Sequence, residues 1–134
     1  MPVSTETRPE LDLTIFTATG PVPFDEHKQI LKTFYKGTPT GNVSWDFTRA
    51  TNVAIKSDEL RAIIQYTREH ADRRPAGTTA LFVNTTLKYG LARMASTFAE
   101  LEATPWDMKV FEHLDNALAW IQENQQAGGK QGLA

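Results

Sequence analysis

Hydrophobic and polar residues follow one another along this chain in two alternating rhythms, a period of two over short runs and a helical period over longer ones. From Leu11 to Thr19, Leu11, Leu13 and Ile15 alternate with Asp12, Thr14 and Phe16, a β-rich run stopped by Gly20-Pro21. The second face of this strand is itself partly apolar. Phe24 to Lys36 then places Phe24, Ile30, Leu31, Phe34 and Tyr35 on one stripe of a helix, with Pro23 near its start and Gly37 at its end. Asn42 to Phe47 alternates most cleanly: Val43, Trp45 and Phe47 share one face, and Asn42, Ser44 and Asp46 the other.

The same order of events repeats downstream. Ser57 reads as the N-cap of a second helix with Asp58 and Glu59 in its first turn and Leu60, Ile63, Ile64, Thr67 and Ala71 on its inward stripe. Thr78 to Val83 is nearly all β-formers, and Asn84-Thr85-Thr86 supplies the polar start of a third helix carrying Leu87, Leu91, Met94, Ala95, Phe98 and Leu101. Met108 to Glu112 reads as a last strand, and Leu114, Ala117, Leu118 and Ile121 as the buried stripe of a closing helix. Strands separated by helices of about 10 to 15 residues are parallel βαβ units, and their crossovers are right-handed. The expected fold is therefore α/β, with four or five mostly parallel strands and helices packed chiefly on one face. Residues 1–10 form an arm or an edge strand turned back at Arg8-Pro9, residues 11–126 a single domain, and the glycine-rich residues 127–134 a flexible tail.

Composition narrows the classes of function. A chain of 134 residues, 40% hydrophobic and 22% charged, has the size and make-up of one globular domain. It has no cysteine, which excludes disulfides, thiolate nucleophiles and cysteine-ligated metals. No apolar run approaches the roughly 20 residues that span a bilayer, and the first ten residues lack the apolar core of a secretory signal, so a cytoplasmic protein is expected. A net charge of −2 with both signs interspersed argues against nucleic-acid binding. Arg68, Arg73 and Arg74 cluster at a helix end, where the helix dipole favours cations. His27, His70 and His113 lie too far apart for a compact metal motif, and Gly128-Gly129-Lys130 lacks the residues and context of a phosphate loop. Neither metal nor cofactor is expected.

Three stretches resemble a known family: Tyr89-Gly90-Leu91-Ala92-Arg93-Met94, Phe111 followed by Leu114-Asp115-Asn116-Ala117-Leu118-Ala119-Trp120-Ile121, and Trp45-Asp46. Together they resemble the SpoIIAA-like family of the STAS superfamily over roughly Leu11 to Ile121. The resemblance implies βα units wound as a superhelix with strands in near-sequential order. It also implies a non-enzymatic relative of anti-sigma factor antagonists, in which a serine at the start of the second helix is phosphorylated. The matching region here is Ile55-Lys56-Ser57-Asp58-Glu59-Leu60, without the Asp-Ser-Ser-Gly signature of the best-known antagonists. Some relatives are likened to CRAL-TRIO lipid-transfer domains, which implies a ligand pocket.

The residues suggest three candidate sites. Ser57 is a phosphoacceptor or simply a helix cap, since a helix N-terminus favours anions while Asp58 and Glu59 would repel a phosphate. Asp46 and Arg49 after the second strand, and Asn84, Thr85, Thr86, Lys88 and Tyr89 after the third, would meet in a polar crevice at the strands' carboxyl ends. Strand alternation puts Phe16, Phe82, Lys109 and Phe111 opposite the Trp45 face, either as a contact surface for a homodimer or partner, or beneath the last helix with Trp120. No Ser-His-Asp order or paired-carboxylate motif is present, so an enzyme is not expected. The favoured expectation is a STAS-like regulatory or interaction domain acting through protein contacts, and the alternative is a binding module for a small lipophilic or anionic ligand.

Overall fold

The computed structural model describes residues 3–51, 55–75 and 77–133, with side chains to residue 124. Five strands and four helices alternate as β1 (Val3–Arg8), β2 (Leu13–Gly20), α1 (Phe24–Lys36), β3 (Asn42–Ala50), α2 (Ser57–Glu69), β4 (Thr78–Phe82), α3 (Thr86–Leu101), β5 (Asp107–Phe111) and α4 (Leu114–Leu133). The strands lie in sequential order, β1 antiparallel to β2 and the others parallel. The N-terminal residues are thus an edge strand, reversed through a 3-10 turn at Pro9–Leu11. The α4 backbone continues through the glycine-rich stretch that the sequence suggested as a tail.

The sheet is covered on both faces. On one, α1, α2 and α3 bury Leu31, Tyr35, Ile63, Ile64, Ala92, Ala95 and Ala99 against Phe16, Ala18, Val43, Trp45, Leu81 and Val83. On the other, α4 buries Ala117 and Ile121 against Leu13, Ile15, Ala80 and Phe82. Of the two expectations for the face opposite Trp45, the structure takes the second, cover by the last helix with Trp120, and it moves Phe16 to the other side. Phe16 is in register with Trp45 and stacks on it at 4.4 Å, so it belongs to the main core. Phe82 is buried under α4, and Phe111 packs there with its ring 5.4 Å from Trp120. Lys109 alone of the four stays exposed, its ammonium over the Phe111 and Trp120 rings. Alternation alone does not place Phe16, because β2 is apolar on both faces and neither face is marked for a particular layer.

The amino ends of the strands are locked by polar side chains. Asn42 donates to the Leu11 carbonyl at 2.7 Å, and its Oδ1 accepts from the Thr78 amide and hydroxyl at 3.0 and 2.8 Å, tying the turn before β2 and the start of β4 to β3. Arg74 is a structural part of this edge rather than a dipole-complementing surface cation. It is 7% exposed, donates to the carbonyls of Gly41 and Thr78 and to the Thr79 hydroxyl, and lies 4.0 Å over the Trp106 ring. Burial pulls its pKa down to about 10, opposed by the Tyr35 phenol and the Asp12 carboxylate, so it keeps its charge at neutral pH. Gly77 passes so close to Gly41 that a Cβ there would strike its backbone.

Candidate functional site

The loops after β3 and β4 do converge, around a β-bulge. Thr17 pairs with Asp46 but Thr19 with Arg49, so Phe47 and Thr48 together oppose the single residue Ala18. Asp46 holds the bulge: one carboxylate oxygen accepts from the Thr48 amide at 2.9 Å and the Thr48 hydroxyl at 2.6 Å. The Thr48 carbonyl, free of the ladder to β4, accepts from Asn84 Nδ2 at 3.1 Å and Lys88 Nζ at 3.3 Å. Lys88 also donates to Asn84 Oδ1 at 3.2 Å.

Thr85 is the N-cap of α3, accepting from the Lys88 amide at 3.2 Å. Thr85, Thr86 and Tyr89 line a shallow hollow with Glu112, which touches the bulge network through Asn84. Arg49 sits beyond the bulge, exposed and in register with Thr19, outside both groups. The expected crevice is thereby divided. Its acid is bonded to Thr48, its base and amide to the Thr48 carbonyl and to each other, and their joint effect is to pin the β3 bulge to the start of α3.

At the start of α2, Ser57 is the first helical residue and not the cap. Lys56 takes the cap position, and its amide donates to the Glu59 carboxylate at 2.9 Å, half of a capping box. The Ser57 side chain is exposed beside Asp58 and Glu59, so a phosphate added there would meet two carboxylates already complementing the helix terminus.

Beneath these loops lies a feature that the sequence reading did not locate. Between the sheet and α1–α3 is a cavity of about 110 Å3, walled chiefly by aromatic and aliphatic side chains, among them Phe34, Trp45, Phe47, Ile63 and Leu81. His27 is part of the wall, 7% exposed, and stacks on Trp45 with ring centroids 4.4 Å apart and planes 11° apart. Its Nδ1 is buried with no hydrogen-bond partner among the described residues. Burial lowers the His27 pKa to about 4, so the ring is neutral at physiological pH. The signal for His27 was present in the sequence: it precedes Leu31 by four residues and Tyr35 by eight, on the same helical stripe.

Among the described residues, no group of three or more His, Asp or Glu side chains is placed to hold a metal ion, and no helix is long and apolar enough to cross a membrane.

No family model matches the chain, and no curated protein matches it. Solved structures do. An uncharacterized protein of the DUF3478 family with a SpoIIAA-like fold, from Shewanella loihica PV-4, is similar at 20% identity with a TM-score of 0.57, over 89% of this chain and 91% of that one. The anti-sigma factor antagonist SpoIIAA in its unphosphorylated form is similar at 14% identity with a TM-score of 0.52, over 90% of this chain and 97% of that one. With its sequential, mostly parallel sheet and alternating helices, the chain has the SpoIIAA-like, STAS-type fold.

Proposed function

We propose that this chain is a non-enzymatic, cytoplasmic regulatory domain that works through protein contacts, beginning with a second copy of itself. The observation that carries this reading is the outer face of α3. Leu87, Met94 and Leu101 recur there at intervals of seven and are 66%, 38% and 67% exposed. Gly90 and Thr97 complete the stripe, with open space where a Gly90 side chain would lie. Arg93 and Glu100, both exposed, flank it on one side.

This stripe is complementary to itself. Turn a second α3 antiparallel about a two-fold axis between Ala95 and Ser96, and Met94 meets Thr97, Leu101 covers the notch at Gly90, and Arg93 reaches Glu100. Each contact occurs twice, as an isologous pairing requires. The fold supports the regulatory half of the reading, since it is shared with a protein described as an anti-sigma factor antagonist. The engagement of Asp46 by Thr48, and of Asn84 and Lys88 by the Thr48 carbonyl and by each other, supports the non-enzymatic half, because these groups are used to hold the bulge.

Light scattering coupled to size-exclusion chromatography tests the pairing. The wild type is expected to be dimeric at high micromolar concentration, Arg93→Glu to be weaker, and the Arg93→Glu/Glu100→Arg swap to recover the dimer. A monomeric wild type, or a swap that fails to recover, rules this interface out.

A further inference from the structure

We infer that the cavity between the sheet and α1–α3 is a binding site for a small single-ring aromatic molecule bearing one hydroxyl or ring N–H, recognised by the His27 imidazole. Size points to a small occupant first. A volume of about 110 Å3 is comparable with the ~150 Å3 apolar cavity that accepts benzene or xenon, so a single ring fills it.

The wall chemistry then separates an organic ligand from water. A buried water needs two to four polar partners, and this wall is dominated by Phe16, Phe34, Trp45, Phe47 and Leu81. Arg74 and Thr79 also line it, but they are hydrogen-bonded to each other and to the strand edge, and Lys88 is held by Thr48 and Asn84. His27 differs from all of them: a buried ring whose Nδ1 has no partner among the described residues. Such a lining, mostly apolar with a few polar groups to orient the occupant, His27 and the Tyr35 phenol among them, is the usual make-up of a small-molecule site. Phe16, His27, Trp45 and Phe47 stack on one another, so this aromatic cluster offers ring edges against which another ring can pack. A hydroxyl can donate to the imidazole or accept from it, so it fits either neutral tautomer.

The site stands apart from the α3 face, and loss of either would leave the other intact. Phenol and toluene are suitable probes, since they differ by the one group that His27 would read. Calorimetric titration of the wild type is expected to show both binding, phenol about tenfold more tightly, the ratio that one hydrogen bond provides. Carbon-detected methyl shifts in Leu31, Ile63 and Leu81 locate the bound ring inside the cavity without any mutation. His27→Phe should bring the two affinities together, and Ala92→Leu, which fills part of the space, should abolish both while raising the melting temperature. No binding of either probe at millimolar concentration, shifts confined to the surface, or an unchanged phenol preference in His27→Phe would each overturn the site.

Discussion

His27 shows how strongly a single buried ring can make this protein sensitive to acid. In the unfolded chain its pKa is the ordinary 6.5 and in the folded protein about 4. Between those values the unfolded chain binds a proton that the folded protein refuses, so stability falls as pH falls. The contribution is complete above 6.5 and is lost progressively down to about 4, where it amounts to roughly 3 kcal/mol. His27→Phe keeps a ring against Trp45 while removing the titration. Urea unfolding from neutral pH to pH 4 should therefore show the wild type losing about 3 kcal/mol relative to the variant, with carboxylate titration cancelling between the two. A constant difference across that range would mean that the ring is hydrated or partnered in the folded state. Arg74 teaches the opposite lesson: a residue that the sequence places among surface cations is buried, and its charge is retained through hydrogen bonds to carbonyls.

At the level of elements, the order of strands and helices was legible because each apolar rhythm persists over several residues. The α1 boundaries at Phe24 and Lys36 follow directly from Pro23 and Gly37. The layer that each strand face meets was not legible in β2, where Leu13 and Ile15 on one side and Phe16 and Ala18 on the other are all buried. A strand enclosed on both sides carries no polar face to orient it. The crevice was legible only as proximity: the loops after β3 and β4 meet, but the bulge at Phe47–Thr48 turns their polar groups toward one another. The cavity was hidden for a different reason, since it depends on how side-chain volumes from several elements fail to fill the space between layers. The α2 terminus offers a compact test of local reading. Because Glu59 and not Ser57 satisfies the Lys56 amide, Ser57→Ala should change stability by no more than about 0.5 kcal/mol, while Glu59→Ala should cost about 1 kcal/mol by thermal unfolding. The reverse ranking would restore Ser57 as the cap.

Across the whole molecule, α4 decides which surfaces remain for other proteins. It closes the second sheet face, so Phe82 and Phe111 are spent on the chain's own core. The two sheet edges are poor templates for further pairing: β1 carries Glu6 and Arg8, joined at 2.7 Å, and β5 carries Asp107 and exposed Lys109. With both faces covered and both edges charged, the large exposed apolar side chains among the described residues fall on α3, with Leu114 at the start of α4. This division of surfaces requires α4 to be firmly docked, and Ile121 is where that can be measured. Both Ile121 and Ala117 are fully buried against β2 and β4. Ile121→Ala should cost about 2–4 kcal/mol in urea unfolding, the range for losing a packed aliphatic side chain without collapse of the space it leaves. The variant should also bind a hydrophobic dye through the newly accessible Phe82 side and associate more than the wild type. A cost below about 1 kcal/mol would mean that α4 rests loosely on the sheet. The Phe82 face would then return as a competing surface for protein contact.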